Sequence, residues 1–259
     1  MNGGSDLYYP FVCKEIAQTP VHGEGDNLPG LIIDYYGGVC VIQAHSVGMF
    51  RAKKQITEGL KKVYGNELKA VYDKSSGTAP FKAGLELVDG YMYKRDGFSD
   101  DEQVVLENGH KFIVNWTEGQ KTGFFLDQKY NRLAAAKIAK DKTVLDCFTH
   151  TGSFGLNCAY NGAKHVTSVD ISSQAVEMAK ANAVRNGLQD KIDYVCEDVF
   201  ELLTNMAARK DHTYDYIILD PPAFTKSRDT VDSAGRGYKE INLKAMKLLP
   251  RGGYLATCS

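Results

Sequence analysis

From residue 121 onward the chain alternates strand-sized apolar runs with helix-length amphipathic segments, and this alternation narrows the choice of fold more than any other feature. The runs are Thr143–Asp146, Val166–Asp170, Ile192–Cys196, Tyr216–Asp220 and Gly253–Thr257. Around them Asn131–Ala139, Phe154–Tyr160, Ser173–Asn186, Val199–Ala208 and Leu243–Leu249 read as helices. Ser172 or Ser173 is suited to cap the third of these helices and Gly187 to stop it. Strands that are apolar on both faces and separated by helices imply a parallel sheet covered on both sides.

The preceding part of the chain has a different texture. Leu31–Tyr35 and Val39–Ala44 form a hairpin around Gly37-Gly38. Met49–Val63 is predicted as one helix, with Met49, Ala52, Ile56, Leu60 and Val63 at helical spacing and Gly65 as its stop, and Leu68–Tyr72 as a further strand. Asn108-Gly109 is a tight turn between Val104–Leu106 and Phe112–Val114. The expected organisation is a small α+β domain over residues 1–84, a hairpin and linker over 85–120, and an α/β domain over 121–259.

Composition excludes several classes. The 259 residues carry 31 Lys+Arg against 32 Asp+Glu, which argues against indiscriminate polyanion binding. Two segments are nonetheless basic. Residues 121–140 hold Lys121, Lys129, Arg132, Lys137 and Lys140 against Asp127, and residues 221–251 hold seven bases, Lys226 and Arg228 among them, against three acids. A one-sided basic face and a pair of solvated helix faces account for this equally well. No apolar stretch approaches the ~20 residues of a membrane span. Met1–Pro10 has neither the basic nor the apolar region of a secretory signal, so a cytoplasmic protein with no membrane partner is expected. Cysteines 13, 40, 147, 158, 196 and 258 form no C-x-x-C pair and have no histidine at ligand spacing, so free thiols and no metal are expected.

In a sheet of this kind ligands bind at the carboxyl ends of the strands, near the point where strand order reverses. The first strand ends at Asp146 and runs into Cys147-Phe148-Thr149-His150-Thr151-Gly152-Ser153-Phe154-Gly155, a glycine-bearing turn opening a helix. The second ends at Asp170, placed to accept hydrogen bonds from ribose hydroxyls, with Ile171 beside it. The third ends at Glu197-Asp198, suited to an adenine amine, with Val199 following. A nicotinamide dinucleotide needs a G-x-G-x-x-G turn for its pyrophosphate. Here the first glycine is missing, and S-adenosylmethionine, which has no phosphate, is the cofactor expected. Asp146 and Asp198 could also perform strand-end or helix-capping duty, and Cys147 and Cys158 read as small buried hydrophobes.

The fourth strand ends Asp220-Pro221-Pro222-Ala223-Phe224. Two prolines stiffen the exit, which would fix the carboxylate beside the cofactor and let a flat base stack on Phe224. At the end of the fifth strand stands Cys258, able to attack C6 of a pyrimidine and so activate C5 towards a methyl sulfonium. Such a nucleophile is a thiolate, so nearby bases are expected to lower its pKa. Asp220 is expected to hold or protonate the base edge.

Together these segments resemble the class I S-adenosylmethionine-dependent RNA methyltransferases, and most closely the 23S rRNA cytosine-5 large-subunit methyltransferase I family. The stretches Val21–Asp34 and Glu118–Gln128 carry the resemblance along with the motifs above. It implies a Rossmann-like sheet preceded by a small α+β domain and a hairpin, with RNA, namely 23S rRNA, as partner and a homodimer among the expected assemblies. It implies that Phe125, Gln128 and Arg132 lie along the cofactor's rim. The turn residues Phe148, Thr149, Gly152 and Ser153, with Asp146, Asp170, Ile171, Asp198, Val199, Asp220 and Pro221, would hold the cofactor. Pro222 and Phe224 would meet the substrate, and Cys258 would be the nucleophile. Against the family pattern an RNA-binding PUA domain is expected to be absent. The sheet is expected to be incomplete at its C-terminal side, with Cys258 weakly held. Methylation of an exocyclic amine or a guanine nitrogen, and a non-catalytic RNA- or ribosome-binding module, are the alternative functions.

Overall fold

A computed structural model describes residues 17–80, 84–99, 103–224 and 231–258. Met1–Pro10, Cys13, Lys226, Arg228 and Ser259, on which some expectations rest, lie outside them. The chain divides into two compact units, one made of the residues up to Gly109 together with Val114–Leu126, the other of His110–Ile113 and the residues from Asp127 on.

The first unit is a five-stranded mixed sheet in the order β1-β2-β3-β4-β5. Its strands are β1 (Ala17–His22), β2 (Leu31–Tyr36), β3 (Val39–Ala44), β4 (Ala70–Asp73) and β5 (Gly90–Lys94), and only β3 and β4 pair in parallel. The expected β2–β3 hairpin is present. Gly38 adopts φ +107°, and a Cβ there would lie 2.8 Å from the Glu67 carbonyl oxygen, so the close approach that starts β4 requires glycine. The predicted single helix is two: α1 (Val47–Arg51), capped by the Ser46 hydroxyl accepting from Met49 N, and α2 (Lys53–Tyr64), with the break at Ala52. Leu60 packs on Leu31, Ile33, Cys40, Ile42, Leu68 and Val71, while Val63, at 76% exposure, faces away. Residues 114–126 are fastened to this unit by polar contacts, buried at Thr122 and partly exposed at Lys74. The Lys74 ammonium donates to the carbonyls of Trp116, Thr117 and Gly119, and the Thr122 hydroxyl donates to Asp34 and meets the Tyr36 hydroxyl.

Strands β6 (Gln103–Glu107) and β7 (His110–Val114) form the two-stranded hairpin expected around Asn108-Gly109. Asn108 at φ +52° and Gly109 at φ +82° fit the left-handed turn such a hairpin uses.

The second unit is α/β. Its strands β8 (Thr143–Cys147), β9 (His165–Asp170), β10 (Ile192–Cys196), β11 (Tyr216–Leu219) and β12 (Tyr254–Thr257) are all parallel, in the order β10-β9-β8-β11-β12. Helices α3 (Lys129–Ile138), α4 (Ser153–Tyr160), α5 (Ser173–Arg185), α6 (Val199–Arg209) and α7 (Val231–Leu248) precede or connect them. The last helix begins well before its expected start at Leu243. Ser172 caps α5 by accepting from Ala175 N, and Gly187 follows its end at φ +66°. Alternation along the strands explains the apolar runs. Leu145, Cys147, Val169, Ile217 and Leu219 face α6 and α7 and pack on Val199, Leu203, Met206, Ile241, Ala245 and Leu248. Asp146 and Ser168, on the opposite face, meet α4 at Gly155. The chain runs outward from β8 to β10 and then returns to β11 on the other side of β8, which puts the reversal of strand order at the carboxyl ends of β8 and β11. Among the described residues no helix is long and apolar enough to cross a membrane.

Replacing Gly38 with alanine is expected to lower stability by about 1–3 kcal/mol, since it adds a backbone clash to an unfavourable φ. Urea denaturation checks this; an unchanged midpoint would show that the turn relaxes.

Candidate active site

Asp146, the last residue but one of the central strand β8, has its carboxylate fully buried. Oδ2 accepts from Thr149 Oγ1, from Gly155 N at 2.9 Å and from Ser168 Oγ at 3.3 Å, while Oδ1 is buried with no hydrogen-bond partner among the described residues. Burial pushes this carboxyl up to about 7. The three hydrogen bonds pull the other way, and the Asp220 charge adds to the rise. After Asp146 the backbone enters the left-handed region three times, at Phe148 (φ +62°), His150 (φ +48°) and Gly152 (φ +78°). The glycines of this turn serve packing. A Cβ on Gly152 would lie 2.9 Å from the Ala179 Cβ, and one on Gly155 would lie 2.4 Å from Ser168 Oγ. Thr149 and Ser153 are buried in the turn, whereas Phe148 is half-buried with its ring edge-on to Phe200.

Asp170 at the end of β9 is tied to the same turn, with Oδ2 accepting from His150 N at 2.8 Å and Oδ1 from Ser172 N at 2.9 Å. Ile171 follows at 68% exposure, an apolar side chain left open at the sheet's edge. Asp198 accepts on Oδ1 from Phe200 N and Glu201 N and so caps α6, which leaves Oδ2 outside the cap. Val199 has its side chain in the core below.

On the other side of β8, Asp220 N donates to Cys147 O at 3.4 Å, and Cys258 N donates to Leu219 O at 2.8 Å. The register that pairs Leu219 with both Cys147 and Thr257 sets Asp220 and Cys258 side by side at adjacent strand ends. The Cys258 thiol hydrogen-bonds to the Asp220 carboxylate. Burial, that carboxylate's charge and that hydrogen bond push the thiol up to about 12. This reverses the expectation of a lowered pKa, because the group facing the sulfur is an anion rather than a base carrying positive charge. Pro221 is buried and Pro222 exposed. Phe224 packs on Tyr238 of α7 (ring centroids 4.4 Å apart) and on Phe200 (5.7 Å).

Gln128 precedes α3 and accepts from Asn131, and Arg132 is buried on that helix. Phe125 belongs to the first unit, where the Lys121 ammonium lies 4.5 Å from its ring. The sheet thus gathers Asp146, Phe148, Thr149, Gly152, Ser153, Asp170, Ile171, Asp198, Asp220, Pro221 and Cys258 along the carboxyl edge of the second unit. Sequence reasoning missed Ser168 and Asn182, both fully buried polar residues. A lone serine in an apolar strand and an asparagine on the inner face of a helix were the available signals. Among the described residues no cluster of three or more His, Cys, Asp or Glu could hold a metal ion.

The carboxyl of Asp146 titrates near 3.8 in an unfolded chain and near 7 in the folded one. Between those values the native state holds the extra proton, so the associated stability is present below the lower value and is lost as pH rises through about 7. Asp146→Asn removes this titration. The difference in urea stability between the natural chain and the variant should therefore shift against the natural chain from pH 5 to pH 8; a constant difference would contradict the assignment.

A family model described as S-adenosylmethionine-dependent methyltransferase matches residues 95–259. The chain is 40% identical over 238 residues to the ribosomal RNA large subunit methyltransferase I of Pseudoalteromonas translucida (strain TAC 125), covering 91% of this chain and 59% of that protein. It is 41% identical over 240 residues to the protein of the same name from Pseudoalteromonas atlantica (strain T6c / ATCC BAA-1087), covering 92% and 59%. The chain therefore spans 59% of the length of these curated relatives. Among solved structures it is similar to a putative methyltransferase complexed with SAH (TM-score 0.80, 26% identity, 95% of this chain and 62% of that one). It is also similar to a putative SAM-dependent methyltransferase from Streptococcus mutans (TM-score 0.78, 26% identity, 94% and 61%). With its parallel sheet, its acidic strand ends and this match over more than half its length, the chain belongs to the S-adenosylmethionine-dependent methyltransferase family.

Proposed function

We propose that the chain is the methyl-transferring part of an enzyme that forms 5-methylcytosine in large-subunit (23S) ribosomal RNA, with Cys258 as nucleophile. In this reading residues 121–259 form the catalytic domain, residues 1–84 an accompanying α+β domain and residues 85–120 the connecting hairpin segment. The observation that supports it most is the pairing of Cys258 with Asp220 at adjacent strand ends, next to the turn around Asp146. The names of the relatives, ribosomal RNA large subunit methyltransferase I, point to the same substrate class.

The residues present fit the cofactor. A cationic ligand with an amino-acid tail suits an edge lined by Asp146, Asp170, Asp198 and Asp220. The buried, unpartnered Oδ1 of Asp146 is an acceptor for an ammonium. Asp170 has lone pairs left for ribose hydroxyls, Asp198 Oδ2 for an adenine amine, and Ile171 an open apolar face for the ring. S-adenosylmethionine, when bound, supplies an electrophilic methyl group on a sulfonium. Cys258 forms the bond to C6 of the cytosine, and its thiol proton passes to Asp220, to which it is already hydrogen-bonded. Asp220 then donates to the base edge at N3 as the ring electrons move there, leaving C5 nucleophilic. Once C5 carries the methyl group, loss of the C5 proton to a base re-forms the C5–C6 double bond, expels the Cys258 sulfur and lets Asp220 take the N3 proton back. A high thiol pKa is compatible with this order, because proton transfer and attack are coupled through one carboxylate.

The same raised thiol supports a second reading, in which the target is an exocyclic amine or a guanine nitrogen and Asp220 alone orients it. Deleting the gene should abolish one 5-methylcytosine in 23S rRNA by bisulfite mapping; persistence of every such base would refute the cytosine-5 assignment. Complementation with Cys258→Ala should fail under the first reading and succeed under the second. Asp220→Asn is expected to lower kcat by about 10²–10⁴ with little change in cofactor affinity. An unchanged kcat would remove Asp220 from the chemistry.

A further inference from the structure

One buried side chain of the second unit grips both the turn after β8 and a strand outside the parallel sheet. Asn182 lies in α5 with no solvent exposure. Its Nδ2 donates to Thr151 O at 2.9 Å, and its Oδ1 accepts from Ile113 N at 2.8 Å. Thr151 immediately precedes Gly152, the left-handed residue that opens α4. One helical turn earlier on the same face, Ala179 is the wall against which Gly152 lies. One turn later, Asn186 accepts from Lys111 N at 2.9 Å and donates to Lys111 O at 2.7 Å. A single face of α5 therefore presents Ala179 to the turn, Asn186 to the strand, and Asn182 to both.

The turn needs such support. Left-handed φ at Phe148 and His150 is unfavourable for residues with a Cβ, and the conformation persists only where surrounding bonds impose it. Thr149 N donates to Val169 O and His150 N to Asp170, which anchors the first half. The Asn182 carboxamide anchors the second half at Thr151. An apolar residue would fill the same stripe of α5 without strain, since asparagine is a weak helix former. What the carboxamide adds is a donor for the turn and an acceptor for the strand.

We propose that Asn182 is a positioning residue for cofactor binding: it holds the Thr151 carbonyl, and with it the turn through Gly152, in the conformation that receives S-adenosylmethionine, and it couples that turn to residues 111–113. The proposal rests on the reading of this turn as the cofactor site. A turn already ordered spares the ligand the cost of ordering it, so the effect falls on affinity.

The test is calorimetry with S-adenosylhomocysteine on the 259-residue chain, with urea stability measured in parallel. Absence of binding by the natural chain would refute the cofactor reading itself, and this proposal with it. Asn182→Ala, and Asn182→Asp, which keeps the acceptor for Ile113 but faces the Thr151 carbonyl with an oxygen, should each bind about tenfold more weakly. Asn186→Ala releases Lys111 but leaves Thr151 held, so its affinity should stay within about twofold of the natural chain even if its stability falls. A purely structural role for Asn182 would lower stability and leave affinity unchanged well below the midpoint. Should the Asn182 variants not fold, amide exchange on the natural chain reads the same coupling. Saturation with S-adenosylhomocysteine should slow exchange at Ile113 more than at Lys111. Natural affinity in folded Asn182 variants, or equal ligand effects at Ile113 and Lys111, would overturn the assignment.

Discussion

A buried carboxylate with three hydrogen bonds on one oxygen and none on the other organises the second unit. Asp146 Oδ2 joins the strand that carries it to the turn at Thr149, to the helix at Gly155 and to the neighbouring strand at Ser168. The desolvation that raises its pKa is the cost of placing an acid there, and an isolated buried polar atom is tolerated where a ligand can satisfy it. Gly155 is explained by the same geometry, since a Cβ there would lie 2.9 Å from Asp146 Oδ2, whereas Gly152 answers to the packing of α5 at Ala179.

The electrostatics of the edge run in one direction. Asp146 and Asp170 stand in the last two residues of β8 and β9, Asp198 and Asp220 follow β10 and β11, and the Asp220 charge makes Asp146 and Cys258 harder to ionise. Cys258 registers this most clearly, because Asp220 both repels its negative charge and accepts its proton. Such a floor suits a positively charged ligand and penalises a phosphate. This physical contrast separates the methyl donor from a dinucleotide more firmly than the missing glycine of the turn does. The aromatic residues show a related economy. Phe200 bridges Phe148 and Phe224, and Phe224 is further held by Tyr238, so the ring that sequence reasoning assigned to a substrate base is already half packed by its own chain.

Strand alternation with helices, the acids at strand ends, the caps at Ser172 and Gly187 and the turn at Gly37-Gly38 were all legible in the residues, because each rests on local geometry or on a period that the letters display. The helix interrupted at Ala52, the early start of α7 and the existence of β1 and β5 were not, since helix continuity and edge pairing depend on what packs alongside. Asp198 illustrates the boundary between the two. Its place after a strand was readable, whereas the division of its oxygens between a helix cap and open space came from the fold.

The sequence by itself therefore determined the type and order of elements and the chemical character of the strand ends, because periodicity and turn chemistry act over a few residues. Tertiary structure alone decided which of those ends meet. The register that sets Leu219 between Cys147 and Thr257 brings Asp220 to Cys258, and the face of α5 brings Asn182 to Thr151, across separations of 38 and 31 residues. Such pairings carry no local signature, since they arise from the packing of elements whose individual stability is indifferent to their partners.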